Sequence, residues 1–228
     1  EITLVDNFFR GRRDRELEKL LQSPQVDTVE GDLTEADTFD RLDGEYDHVY
    51  VLAAIVGVGY TEDMPHEVWR VNTAIALNTL EWLSESGVSR VLFASTSETY
   101  AGTVEGFDAD IPTSEDVPLC ITDITQPRFT YAATKMLGEA GIAHYAEAYD
   151  FEQITVRFHN VYGPRMGFKH VIPQVVERFH RGENPFTVYG YDQTRAFCHI
   201  IDAVRSVVQA METHNACTQT YHIGDDRD

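Results

Sequence analysis

The sequence predicts an α/β protein built on a doubly wound parallel sheet with a smaller C-terminal lobe, and two observations point there. Short β-branched runs alternate with longer amphipathic ones from residue 1 to about residue 159, and those longer runs are long enough to serve as crossovers. Strands joined by such crossovers lie parallel, with helices covering both faces of the sheet.

Taken in order, "ITLVD" (2–6) reads as a strand, "DRELEKLLQ" (14–22) as a helix, "VDTVEGD" (26–32) as a strand and "DHVYVLAA" (47–54) as a buried strand. A helix fits 65–87, with Pro65 near its start and Gly87 as its stop. "RVLFAS" (90–95) is a strand with Thr96 just beyond it, 129–149 a helix, and "QITVRF" (153–158) a strand. Beyond Asn160 the regularity weakens into a Gly/Pro segment, a helix at 170–182, an isolated "FTVYG" (186–190), a helix at 202–213 and a last strand "QTYHIG". The division expected is a dinucleotide-binding, Rossmann-like unit over 1–159 and a substrate lobe over 160–228, part of which returns to the sheet.

Charge narrows the partners. The 228 residues hold 38 acidic and 18 basic side chains, a formal charge of −20, which argues against nucleic acid and anionic lipid as partners. Only Lys19, Lys135 and Lys169 are lysines, and the acids are spread along the chain, a balance that suits a high-salt cytoplasm as well as an ordinary acidic surface. Cys120, Cys198 and Cys217 are far apart and suggest neither a disulfide framework nor a zinc site. The weakly polar run from Val49 to Tyr60 is too short to span a bilayer and no basic-then-apolar leader opens the chain, so the expected location is cytoplasmic.

Loops at the carboxyl edge of a doubly wound sheet are where ligands bind. Asp6 closes the first strand, where a carboxylate can accept both hydroxyls of an adenosine ribose, or can simply cap a turn. Asp32, in "GDL" with Leu33, can accept from an adenine amino group, and Leu52-Ala53-Ala54 offers small residues for a flat ligand or for plain helix–sheet packing. Asn72 lies inside a helix, where an amide is costly unless it bonds something. Tyr131 and Lys135 are four apart on a predicted helix and stack on one face. An ammonium beside a phenol favours the phenolate and makes Tyr131 a candidate general base. The hydroxyl-rich "STSETY" (95–100) precedes them by one crossover.

In order, "VDN" (with Asn7), "GDL", "LAA", "VN", "STSETY", "YAATK", "RFHNVYGPRM", "VIPQ", "FTVYG" and "QTRAF" resemble the extended short-chain dehydrogenase/reductases, the NAD-dependent nucleotide-sugar epimerases, dehydratases and decarboxylases. The resemblance implies NAD as cofactor, with Asp6, Asn7, Asp32, Leu33, Leu52, Ala53, Ala54, Asn72, Tyr131 and Lys135 on the cofactor side. It implies that Tyr131 takes the proton from the sugar 4-hydroxyl, that Lys135 binds the nicotinamide ribose, and that Thr96 orients the sugar oxygen, with Ser97 and Glu98 beside it. Asn160 and Arg195 match the diphosphate contacts, and Val171 and Thr187 to Tyr189 segments that line the base. It further implies a UDP- or dTDP-sugar substrate and a homodimer through helices 65–87 and 129–149.

Dehydratases of the family carry Thr-Asp-Glu where this chain has Thr96-Ser97-Glu98, and a serine is a poor acid for a leaving hydroxyl, so dehydration is demoted. "STSE" with "TVYG" and "QTRAF" looks most like UDP-glucuronate decarboxylases, while "YAATK" and Ala101 depart from their usual wording and keep a 4-epimerase open. The family's first strand and Gly-rich phosphate turn find no match here. The expectation is therefore a fragment of a longer protein, or a sheet closed by unusual pairing. A catalytically incompetent, truncated family member that only binds nucleotide or self-associates is the alternative reading.

Overall fold

The computed structural model describes residues 1–11, 13–107, 109–191 and 195–225. In chain order the elements are β1 (Ile2–Asp6), α1 (Arg15–Leu21), β2 (Val26–Glu30), β3 (His48–Val51), α2 (Val58–Asp63), α3 (Pro65–Ser86), β4 (Arg90–Thr96), α4 (Ala101–Phe107), α5 (Arg128–Tyr149), β5 (Glu152–Phe158), β6 (Asn160–Tyr162), α6 (Val171–His180), β7 (Phe197–His199), α7 (Ile200–Glu212) and β8 (Gln219–Ile223). Single 3-10 turns occupy Ala36–Arg41, Ser97–Tyr100 and His214–Ala216.

Every strand pair is parallel, as the crossovers require, but the strands do not form one sheet. They divide into β1-β2, β3-β4-β5-β8 and β6-β7, with no ladder between β1 and β3. β8 returns from the C-terminal segment to flank β5, with Ile154 opposite Gln219 and Phe158 opposite Ile223.

β4 is buried along its whole length, and its alternating side chains feed two cores. Val91 and Phe93 pack with Leu80 and Leu83 of α3 and Ile142 and Ala146 of α5. Leu92 faces the other way, among Ile154, Val156, Ala203, Val207 and Met211 of β5 and α7. α5 approaches β4 closely because Gly138 has no Cβ; one placed there would lie 2.2 Å from the Phe93 ring. α3 ends where Gly87 adopts φ 69°, the left-handed stop that a glycine takes without penalty.

Two expectations change, and one open segment is defined. β3 stops at Val51, so Leu52-Ala53-Ala54 lies beyond the strand, in the loop that turns toward α2. Thr96 is the last residue of β4, paired with Phe158, because its Oγ1 accepts from the Glu98 amide and turns the chain only after it. "FTVYG" forms no strand; Arg178 stacks 4.2 Å over Phe186 and donates to the Thr187 carbonyl at 2.6 Å, fixing the segment against α6. No helix among the described residues is long and apolar enough to cross a membrane.

Candidate active site

A cleft of about 620 Å³ opens at the carboxyl ends of β1, β2 and β3, against the start of α3. Asp6, Asn7, Asp32, Leu33, Leu52, Ala53 and Ala54 line it, as do Arg10, Tyr60 and Arg70, which carried no motif in the sequence. The Asp6 carboxylate accepts from the Phe8 amide at 2.6 Å. Asn7 Nδ2 donates to Asp32 Oδ2 at 3.0 Å, and Thr34 N donates to Asp32 Oδ1 at 2.9 Å. Burial works to raise the Asp32 pKa, but the donors from Thr34 and Asn7 and the Arg70 charge outweigh it and hold the carboxyl below its usual range. The cleft thus presents two carboxylates beside a small-residue floor, a set that fits the adenosine end of a dinucleotide. Arg10 is a cation in the same cleft.

Asn72 acts behind the wall of this cleft, not on it. Its Oδ1 accepts from Ile55 N at 2.8 Å and its Nδ2 donates to Ile55 O at 3.1 Å and Thr134 Oγ1 at 3.4 Å. The amide ties the loop after β3 to α5, which accounts for a buried asparagine within a helix.

The second half of the site is where α5 packs on the 3-10 turn 97–100. Thr96 is buried, Ser97 half-buried and Glu98 exposed. Tyr131 is pushed well above the ordinary phenol range, first by burial and next by the Glu98 carboxylate; Arg10 opposes both. Arg10 therefore acts at Tyr131 as well as in the cleft. Lys135 and Tyr131 do share a face of α5, yet the ammonium does not depress the phenol. Its Nζ is turned inward, donating to the Ala94 carbonyl at 2.6 Å, 5.0 Å from the Phe93 ring centroid and 5.9 Å from that of Tyr131. Burial pulls the Lys135 pKa down to about 8, with Glu139 opposing.

The residues expected on the diphosphate and base are more open. Asn160 donates to the Ala196 carbonyl at 3.0 Å across β6 and β7, beside the exposed Arg195. Val171 and Tyr189 are 56% and 82% exposed and are not enclosed with Tyr131. Gln193 and Thr194 of the "QTRAF" motif lie outside the described residues.

A polar network behind α5 carried no sequence signal except spacing. Arg157 grips both oxygens of Glu139, at 3.0 and 2.6 Å, and also donates to the Tyr100 hydroxyl; Ser95 donates to the same carboxylate. Glu139 is four residues beyond Lys135, and that interval could have revealed it.

The NAD dependent epimerase/dehydratase family model matches residues 1–224. The chain belongs to this family. A UDP-glucose 4-epimerase of Corynebacterium glutamicum is 28% identical over 95% of this chain and 65% of its own length. A UDP-N-acetyl-alpha-D-glucosaminuronate decarboxylase of Bacillus cytotoxicus is 32% identical over 92% of this chain and 63% of its own. Among solved structures, a UDP-galactose 4-epimerase superposes with a TM-score of 0.78 at 27% identity, covering 99% of this chain and 69% of that one. The family member described here thus spans under two thirds of the length of these two curated relatives.

Proposed function

We propose an NAD-dependent nucleotide-sugar enzyme that works through transient oxidation at C4 of a UDP- or dTDP-linked sugar, as a decarboxylase or a 4-epimerase. The observation that carries this reading is the placement of Tyr131 and Lys135 on one face of α5, packed on the turn that follows Thr96. The two curated relatives above are one of each kind.

Bound NAD supplies the hydride acceptor. Asp6 and Asp32 hold the adenosine end, and Ala53 and Ala54 give it a flat contact. Thr96 presents its hydroxyl to the sugar oxygen, and Tyr131 takes the proton of the sugar 4-hydroxyl at its phenolic oxygen. Burial and Glu98 keep that oxygen protonated, so its loss of a proton is tied to positive charge nearby. Lys135 has donors beyond the one given to Ala94 and binds the nicotinamide ribose with them. Ser97 offers no acid for a leaving hydroxyl, which supports decarboxylation or epimerisation over dehydration.

Exposed Trp69, Leu77, Leu137 and Tyr149 on α3 and α5 support a homodimer through these helices, to be read by sedimentation. The charge of −20 supports a cytoplasm rich in salt. The deciding experiment is incubation with NAD and a panel of UDP- and dTDP-sugars at molar salt, with products read by mass and NMR. Loss of carbon dioxide identifies decarboxylation, and an isobaric product epimerisation. No binding of NAD and no turnover at any salt concentration sinks the proposal.

A further inference from the structure

Tyr131, Lys135 and Glu139 recur at intervals of four along α5, so their side chains rise in one column toward β4 and β5. The middle member is an ammonium with almost no solvent, 5% exposed. A buried cation survives only with a partner that is itself fixed. Its direct acceptor is the Ala94 carbonyl, a neutral group. The nearest anion on its own helix is Glu139, and that carboxylate is immobilised from two strands: Ser95 of β4 donates to one oxygen, and the Arg157 fork of β5 takes both.

We propose that Glu139 is a positioning residue of the site, whose carboxylate, anchored by Ser95 and Arg157, holds the Lys135 ammonium charged and seated against β4. The groups around Lys135 are then all assigned. Tyr131 faces it from α5, and Phe93 and the Ala94 carbonyl from β4, while Glu139 lies one turn further along α5 and acts through its charge. Arg157 from β5 lies beyond Glu139, and Glu98 acts on Tyr131 from the turn. Arg157 partly offsets the Glu139 charge, yet its other amino group is directed to Tyr100 and the Glu115 carbonyl, away from α5. The consequence for catalysis rests on the reading of Tyr131 and Lys135 as the reacting pair. The electrostatic relation itself does not.

The test needs no turnover, because the chain has only three lysines, Lys19, Lys135 and Lys169. Protein labelled with lysine carrying 13Cε and 15Nζ gives three side-chain signals, and Lys135→Arg assigns the one of interest. Titration of the full chain should place the Lys135 midpoint near 8. Glu139→Gln should lower it by about one pH unit, and Glu139→Asp, which keeps the charge, should restore most of that shift. A Lys135 midpoint equal in wild type and Glu139→Gln overturns the proposal, as does a Glu139→Asp shift as large as that of Gln. If Glu139→Gln does not fold, the unmodified protein decides. Its Lys135 signal at pH 7 must be an ammonium whose hydrogens exchange more slowly than those of Lys19 and Lys169, and a neutral amine or a freely exchanging ammonium refutes the role of Glu139. An enzyme inactive on every sugar leaves this result readable, so the two proposals fail separately.

Discussion

Asn72 brackets the backbone of Ile55: one side-chain amide accepts from its N–H at 2.8 Å and donates to its C=O at 3.1 Å. The loop after β3 has no ladder at this point, so the amide replaces the backbone partner that a neighbouring strand would supply. The same side chain reaches Thr134, one residue before Lys135, and so joins the cleft wall to α5.

Replacing Asn72 with Ala leaves the Ile55 N–H and C=O without that partner. A loss of stability of about 1–3 kcal/mol follows for a buried polar group left unsatisfied. Urea unfolding should show a lower midpoint at unchanged slope; a midpoint equal to wild type refutes the bracket as a stabilising element.

Tyr131→Phe removes the proton acceptor with little change of volume. Turnover of whichever UDP- or dTDP-sugar proves to be the substrate should fall by about 10²–10⁴-fold, the range of a lost general base, while thermal unfolding stays close to wild type. Activity within a few fold of wild type contradicts the role given to Tyr131.

Lys135 links stability to pH. Its folded pKa of about 8 lies below the unfolded value of about 10.4, so between these two the unfolded chain binds more protons and stability rises with pH. Below pH 8 the lysine is charged in both states, and keeping that charge buried costs on the order of 3 kcal/mol. Relative to Lys135→Met, the wild-type protein should gain stability from pH 8 toward pH 10. A difference that stays flat over this interval shows that the lysine is not desolvated in the folded state.

Much of this architecture is legible in the chain. Hydrophobic periodicity locates β4, β5, α3, α5 and α7 to within a residue or two, because each is long or largely buried; β1 and β2 are short and partly open and are found by their β-branched residues instead. The short elements α2, α4, β6 and β7 escape it, since three to seven residues hold too little period to register. The stacking of Tyr131 on Lys135 follows from spacing alone. The direction of the ammonium does not, because the Ala94 carbonyl and the Phe93 ring decide it and both belong to a strand some 40 residues away. Arg157 and Glu139 are hidden for the same reason: their pairing is created by the packing of α5 on β5.

The charge of −20 predicts a response to salt. Molar salt shortens the Debye length to about 3 Å and removes most of the repulsion between exposed carboxylates. The melting temperature should climb steadily from low to molar potassium chloride; a temperature independent of salt would show that this repulsion contributes nothing to the folded state's free energy.

The split between β1-β2 and the four-stranded sheet has a mechanical meaning. Among the described residues, what joins the two pieces across the cleft is side-chain contact: Asn78 to the Leu33 carbonyl at 3.0 Å, Phe39 against Trp82, Phe9 near Tyr60, and the Asp14–Arg165 ion pair. Such contacts slide, whereas a ladder of backbone hydrogen bonds resists shear. A two-stranded piece is also marginal in isolation. β4 and β5 are closed in along nearly their whole length, whereas β1 and β2 keep every residue at least partly open. Amide hydrogens of β1 and β2 in this chain should exchange well ahead of those of β4 and β5, and a ligand bound in the cleft should slow the first pair far more than the second.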